Sequence, residues 1–205
     1  MARERLGSPR ARLFVALELP DGVVRATAAL AREIFGPVGE LRLVPSESLH
    51  VTLVFLGYHP EREIERIAEV SLGDADGEFK LTPEGVVPVP RSRPRLFALG
   101  LEDAGGALIG WQDGLSRRLE AANLYEPEKR PFWPHVTVAR VRPETRGSRR
   151  PAVVSEPPGP IPEELAEPRL AVRMALYRSE LQPTGARYVP LAQVELPGGG
   201  GSEVI

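Results

Sequence analysis

Two periods of apolar spacing alternate along this chain. Leu13 to Leu19 is a nearly unbroken apolar run, as in a buried strand, and Pro20-Asp21-Gly22 ends it. Val24, Ala28, Ala31 and Phe35 then recur at helical spacing, and Gly36-Pro37 stops the helix. Leu49 to Phe55 alternates as a strand, and a helix pattern follows from Glu61 to Leu72. Phe79 to Val89 and Arg95 to Leu101 read as strands, the first interrupted by prolines. Leu108, Trp111, Leu115, Leu119 and Ala122 stripe a helix running from about Ala104 to Asn123. Val136 to Val141 reads as a strand, Pro143 to Pro168 as a long surface loop, and Leu170 to Leu176 and Arg187 to Leu196 as the last strands.

The order repeats. Strand, helix and a strand carrying His-Val-Thr occur over 13–56 and again over 95–142. Phe14 precedes His50 by 36 residues, and Phe97 precedes His135 by 38. Duplicated units predict two similar lobes with a cleft between them, each lobe supplying one copy of the motif. Separated strands and helices argue for an α+β fold. Residues 1–197 are expected to form one bilobal domain, and 198–205 a flexible tail.

Composition narrows the chemistry. The 205 residues are 42% hydrophobic and 26% charged, with a net charge of −2. No apolar run is long enough to span a membrane, and the short run behind the basic N-terminus is no signal peptide, so the expected location is cytoplasmic. The chain has no cysteine, which removes disulfides, thiolate–zinc sites and thiol nucleophiles. Charge is uneven: seven basic residues between Lys129 and Arg150 (Lys129, Arg130, Arg140, Arg142, Arg146, Arg149, Arg150) face a single acid, Glu144.

The candidate chemistry lies in His50-Val51-Thr52 and His135-Val136-Thr137. Alternate side chains of a strand share a face. His50 and Thr52 therefore point together, with Leu49, Val51, Leu53 and Phe55 turned to a core. His135 and Thr137 likewise oppose Val136 and Val138. A metal-free phosphodiester reaction needs one group to take a proton and one to give it, and histidine suits both. Threonine hydroxyls can donate to the non-bridging phosphate oxygens. A single His-x-Thr means little; two in equivalent places of a repeat mean much more. His59, in Tyr58-His59-Pro60, reads as a surface residue in a turn. His50 and His135 lack a third ligand in either motif, which argues against a metal, and no serine-nucleophile elbow or phosphate-binding loop is present.

The motifs, taken together, resemble the bacterial and archaeal RNA 2′,3′-cyclic phosphodiesterases, long called 2′-5′ RNA ligases, of the two-histidine phosphoesterase superfamily with its His-x-Thr-x signature. Arg12-Leu-Phe-Val-Ala-Leu-Glu-Leu-Pro20 looks like the opening strand, and Ser48-Leu-His-Val-Thr-Leu-Val-Phe-Leu-Gly57 like the first motif. Pro131-Phe-Trp-Pro-His-Val-Thr-Val-Ala-Arg140 looks like the second, and Leu176 to Leu181 with Gly185 to Tyr188 like the closing hairpin. The resemblance implies a bilobal fold of two pseudo-symmetric antiparallel sheets, with flanking helices, around a central cleft. It implies that His50 donates a proton, that His135 accepts one, and that Thr52, Thr137 and Arg140 hold the phosphate. Strict alternation puts Arg140 opposite His135, so a bulge or the reach of its side chain has to reconcile them. Trp133 stands where the family is more often polar or basic; Phe132 and Trp133 could stack a base, although packing at the lobe junction is the plainer reading. Tyr177 and Arg178 are expected to border the cleft.

The resemblance implies hydrolysis of RNA 2′,3′-cyclic phosphate ends, tRNA fragments among them, to 2′-phosphomonoesters, by a monomer without cofactor. Reverse 2′-5′ ligation is open to the same site. The rival readings are a phosphodiesterase for a small cyclic nucleotide and a nucleotide- or RNA-binding module without turnover.

Overall fold

The computed structural model describes residues 9–145, 148, 150–153, 160–182 and 185–197. The expected tail at 198–205, together with Arg146 and Arg149 of the basic cluster, lies outside them. The elements in chain order are β1 (Arg10–Glu18), α1 (Asp21–Phe35), β2 (Leu41–Leu43), β3 (Val51–Pro60), α2 (Ile64–Leu72), β4 (Lys80–Val89), β5 (Leu96–Glu102), α3 (Ala107–Ala121), β6 (His135–Val141), β7 (Arg169–Leu170), β8 (Arg173–Gln182) and β9 (Gly185–Glu195). Every strand pairing is antiparallel, and the class is α+β.

The strands follow the order β7-β4-β5-β6-β3-β1-β8-β9, with β2 added on β6. The two expected sheets are thus two wings of one sheet. They join between β3 and β6 through one register pair, Val51 with Val136. Such a narrow seam leaves each wing free to take its own twist and lets the sheet fold around a cleft.

The helices cross over between wings. Strand β1 pairs with β3, and β5 with β6, so each repeat keeps its own strands together. Helix α1, however, packs on β6 and β2 of the other wing, and α3 packs on β3. Phe35 of α1 meets Phe97 of β5 with ring centroids 4.7 Å apart. On the other side, Gln112 Nε2 of α3 donates to the Leu53 carbonyl at 3.1 Å. In α1 the buried stripe is Val23, Thr27, Leu30, Ala31 and Phe35. It is rotated from the expected one because α1 faces the far wing, and Val24 and Ala28 fall at its partly buried edge.

Two differences from the sequence reading bear on the site. Strand β2 went unforeseen because three residues carry too little periodicity. Tyr58-His59-Pro60 is strand rather than turn, paired with Arg10 to Arg12 of β1. His59 is partly buried, with Nδ1 3.3 Å from Glu63 Oε2 and Nε2 3.1 Å from the Leu56 carbonyl, so its ring is occupied in holding the strand end. Within Pro143 to Pro168 the described residues include a Pro143–Pro151 bridge and a short helical turn at Glu163–Leu165 that buries Leu165.

The crossed helices give a prediction. Phe35 is 3% exposed and clamps the first repeat's helix onto the second repeat's strands. Phe35→Ala should cost about 3–5 kcal/mol in equilibrium denaturation. A loss below about 1 kcal/mol would mean that the contact does not join the wings.

Candidate active site

Both motif strands bulge at the same place. Opposite β1, the register runs from Val54 to Thr52 and skips Leu53. Opposite β5, it runs from Ala139 to Thr137 and skips Val138. Leu53 and Val138 are equivalent, each following the motif threonine. The bulge inserts a residue and reverses the alternation beyond it, so Leu53 and Val54 are both buried, as are Val138 and Ala139. Arg140 thereby comes to the His135 and Thr137 side of the sheet. The same bulge turns Phe55, Arg140's counterpart, out of the expected core and leaves it 52% exposed.

The Val51–Val136 pair brings the motifs together. In an antiparallel pair, one step either side sets His50 towards Thr137 and Thr52 towards His135. The two His-Val-Thr segments face each other about a pseudo-twofold axis through this pair. Among the described residues, no group of three or more acidic or histidine side chains is arranged to hold a metal ion, and no helix is long and apolar enough to cross a membrane.

Each imidazole is held on two sides. His135 Nδ1 lies 2.7 Å from the Trp133 carbonyl. A carbonyl can only accept, so Nδ1 carries the hydrogen and Nε2 presents its lone pair when the ring is neutral. Trp133 also stacks on His135, with centroids 4.5 Å apart and planes at 15°. The indole is 38% exposed, a cover on the histidine rather than a filler of the junction, whereas Phe132 is the one packed against the core. Gly100 pairs with His135 in the register, and a Cβ there would come within 3.4 Å of the Trp133 ring.

His50 has the matching arrangement in a drier setting. Its ring bonds to the backbone of Ser48, as His135 does to Trp133, and its Nε2 lies 3.1 Å from Thr52 Oγ1. Phe14 stacks on it at 5.0 Å and Tyr188 meets it edge-on at 5.2 Å. Burial pushes the His50 pKa down to about 4, while the Ser48 hydrogen bond opposes the shift and Arg140 and His135 reinforce it. The Coulombic influence of Arg140 and His135 sets both within electrostatic range of His50. Tyr177 stacks on Phe14 at 5.3 Å and its hydroxyl donates to Glu18, which Arg173 also holds at 3.0 Å. Burial and that carboxylate raise the Tyr177 pKa well above the ordinary phenol value. Arg178 is paired with Glu61 at 3.0 Å.

The chain is similar to known proteins over nearly its whole length. No family model matches the chain. An RNA 2′,3′-cyclic phosphodiesterase of Thermus thermophilus is 31% identical over 199 residues, 94% of this chain and 93% of that one. The chain belongs to the RNA 2′,3′-cyclic phosphodiesterase family. A member from Thermotoga maritima is 28% identical over 92% of this chain and 97% of its own. Among solved structures, the Thermus thermophilus protein TT0787 superposes with a TM-score of 0.73 at 28% identity, covering 90% of this chain and 97% of its own. E. coli LigT complexed with 3′-AMP gives 0.71 at 26% identity, over 92% and 99%.

For this family member, sequence reasoning missed Phe14, Tyr188 and Arg42 beside the cleft. Phe14 sat inside an apolar run that read as pure core, and its ring is 2% exposed yet stacked on His50. Arg42 pairs with Arg140 across β2 and β6. The signal for it lay in recognising β2. Of the basic cluster, Arg142 is structural, its Nε donating to the Leu41 carbonyl at 3.1 Å.

The depressed His50 pKa predicts an acid-sensitive fold. The unfolded ring protonates as pH falls through about 6.5, but the folded ring does so only near 4. Unfolding therefore takes up a proton in that window, and stability falls as pH is lowered from 6.5 to 4, by about 3 kcal/mol. Denaturation at pH 7 and pH 4.5 should show the loss in the wild type and a smaller one in His50→Gln. Equal losses in both would assign the acid sensitivity to other groups.

Proposed function

We propose that this chain hydrolyses RNA 2′,3′-cyclic phosphate ends to 2′-phosphomonoesters, with His135 and His50 as the proton-transfer pair. The observation that carries the reading is the approach of two His-Val-Thr segments across the Val51–Val136 pair, in a member of this family. Names of relatives supply the substrate class: an RNA 2′,3′-cyclic phosphodiesterase, and a LigT that holds 3′-AMP.

The chemistry needs no metal. His135 Nε2 takes a proton from water as the water oxygen bonds to phosphorus, and its Nδ1–H stays fixed on the Trp133 carbonyl. The bond from phosphorus to the 3′-oxygen breaks, and His50 protonates that oxygen. Thr52, Thr137 and Arg140 donate to the non-bridging oxygens, where charge builds up. With a 5′-hydroxyl in place of water as the attacking group, the same steps in the same direction break the bond to the 3′-oxygen and join RNA ends through a 2′-5′ bond.

His50 as the acid requires a proton that the empty cleft withholds, since its pKa lies near 4. A bound phosphate anion supplies the missing stabilisation, because an opposite charge nearby favours the imidazolium. Protonation of His50 is thus coupled to substrate binding, and an unloaded site stays in its neutral form. In NMR titrations the His50 ring should have a pKa near 4 alone and a clearly higher one with 3′-AMP bound. An unmoved value would remove His50 as the acid.

Purified protein should open a 2′,3′-cyclic phosphate on an RNA oligonucleotide in excess EDTA. His50→Ala and His135→Ala should each lower kcat by roughly 10²–10⁴-fold, with His59→Ala near wild type. Turnover of adenosine 2′,3′-cyclic phosphate but not of the oligonucleotide would favour the small-nucleotide reading. Binding of both with turnover of neither would favour a recognition module.

A further inference from the structure

A groove of about 520 Å³ opens beside the histidine pair, with Arg42, Arg140, Arg187 and Tyr188 in its lining. The Tyr188 ring that meets His50 edge-on makes groove and site continuous. Arg42 and Arg140 are direct cross-strand partners. Side chains so placed share one face of the sheet, and two guanidinium groups on one face can reach the same anion. Gly185 clears room for this arrangement: a Cβ there would stand 3.3 Å from Arg42 Nη1, at a φ of +142° that side chains rarely adopt. Glu47 also lines the groove, next to the Ser46 hydroxyl at 3.2 Å, but three guanidinium groups outnumber its one carboxylate.

The proposed cyclic-phosphate chemistry places one phosphate between the histidines, and Arg140 already serves it. An RNA end closed as a cyclic phosphate has no chain beyond it. The next phosphate available to the groove is therefore the one on the 5′ side of the terminal nucleoside. Resting on the functional reading above, we propose that Arg42 and Arg187, with Arg140 at the junction, form a second anion subsite for that 5′-side phosphate. The subsite makes an RNA end, or a 5′-phosphorylated nucleotide, a better substrate than a bare nucleoside cyclic phosphate.

Three substrates test this: adenosine 2′,3′-cyclic phosphate, the same with a 5′-phosphate, and the dinucleotide ApA with a 2′,3′-cyclic end. Wild-type kcat/KM should be about tenfold or more higher for the two that carry the 5′-side phosphate, the worth of one charge-assisted contact. Arg42→Gln and Arg187→Gln should each shrink that ratio, and added salt should shrink it in the wild type. A 5′-phosphate as good as the dinucleotide identifies the anion itself as the feature read; a gain confined to the dinucleotide identifies the internucleotide diester. Calorimetric Kd values for the matching 2′-phosphate products supply a readout independent of turnover, with the same ratio expected. If no substrate turns over, the functional reading falls while the Kd ratio still judges the subsite. No preference in the wild type, or a preference unchanged in both variants, overturns the proposal.

Discussion

The Val51–Val136 pair is the constraint on which the rest depends. It is the register pair that unites two wings of otherwise well-paired strands, and each motif histidine lies one residue from it. A slip of one residue at this seam would turn one motif's histidine and threonine to the face opposite the other's. The crossed helices resist such a slip. Helix α1 fastens the first repeat to the second wing and α3 fastens the second repeat to the first, so the seam cannot shift without disturbing two apolar packings. Two helix packings thereby brace a narrow join.

Burial and charge then act together on the chemistry. The stack of Phe14 and Tyr188 around His50 removes water, and the nearby Arg140 charge adds to the cost of an imidazolium. On the proposed function a bound phosphate offsets both, because an opposite charge in a dry site is strongly felt. Arg140, whose charge lowers the His50 pKa, is on the proposed function also a donor to that phosphate. Burial of His50 leaves the fold sensitive to acid, and on the proposed function it ties His50 protonation to occupancy.

Much of this was legible in the sequence, for identifiable reasons. Strands and helices with full periodicity, such as β8 with Met174 and Leu176 inward, declare themselves, and the duplicated His-Val-Thr announced the site by repetition. What remained hidden depended on single extra residues or very short segments. The bulges at Leu53 and Val138 leave no compositional mark, so alternation put Phe55 in the core and Arg140 on the wrong face. Strand β2 spans three residues, and without it Arg42 had no location. Trp133 looked like packing because nothing in the sequence marks which ring it covers; its stacking partner is His135, two residues on.

The two halves share a backbone plan and differ in what surrounds it, and that difference gives two identical side chains different environments. Each histidine bonds through its ring to the backbone of the residue two before it, Ser48 or Trp133. Each is stacked by an aromatic ring, but Phe14 is buried and Trp133 is 38% exposed. Past the bulges, the equivalent positions carry Arg140 on one side and Phe55 on the other, a cation against an exposed apolar ring. Two coupled imidazoles titrate as a pair, and unequal surroundings bias which of the two holds the shared proton. With the motif kept constant, the sequence changes that matter are those at its flanks: Ser48 against Trp133 before it, and Phe55 against Arg140 after it. Duplication accounts for the symmetry of the cleft, and these substitutions give it a direction.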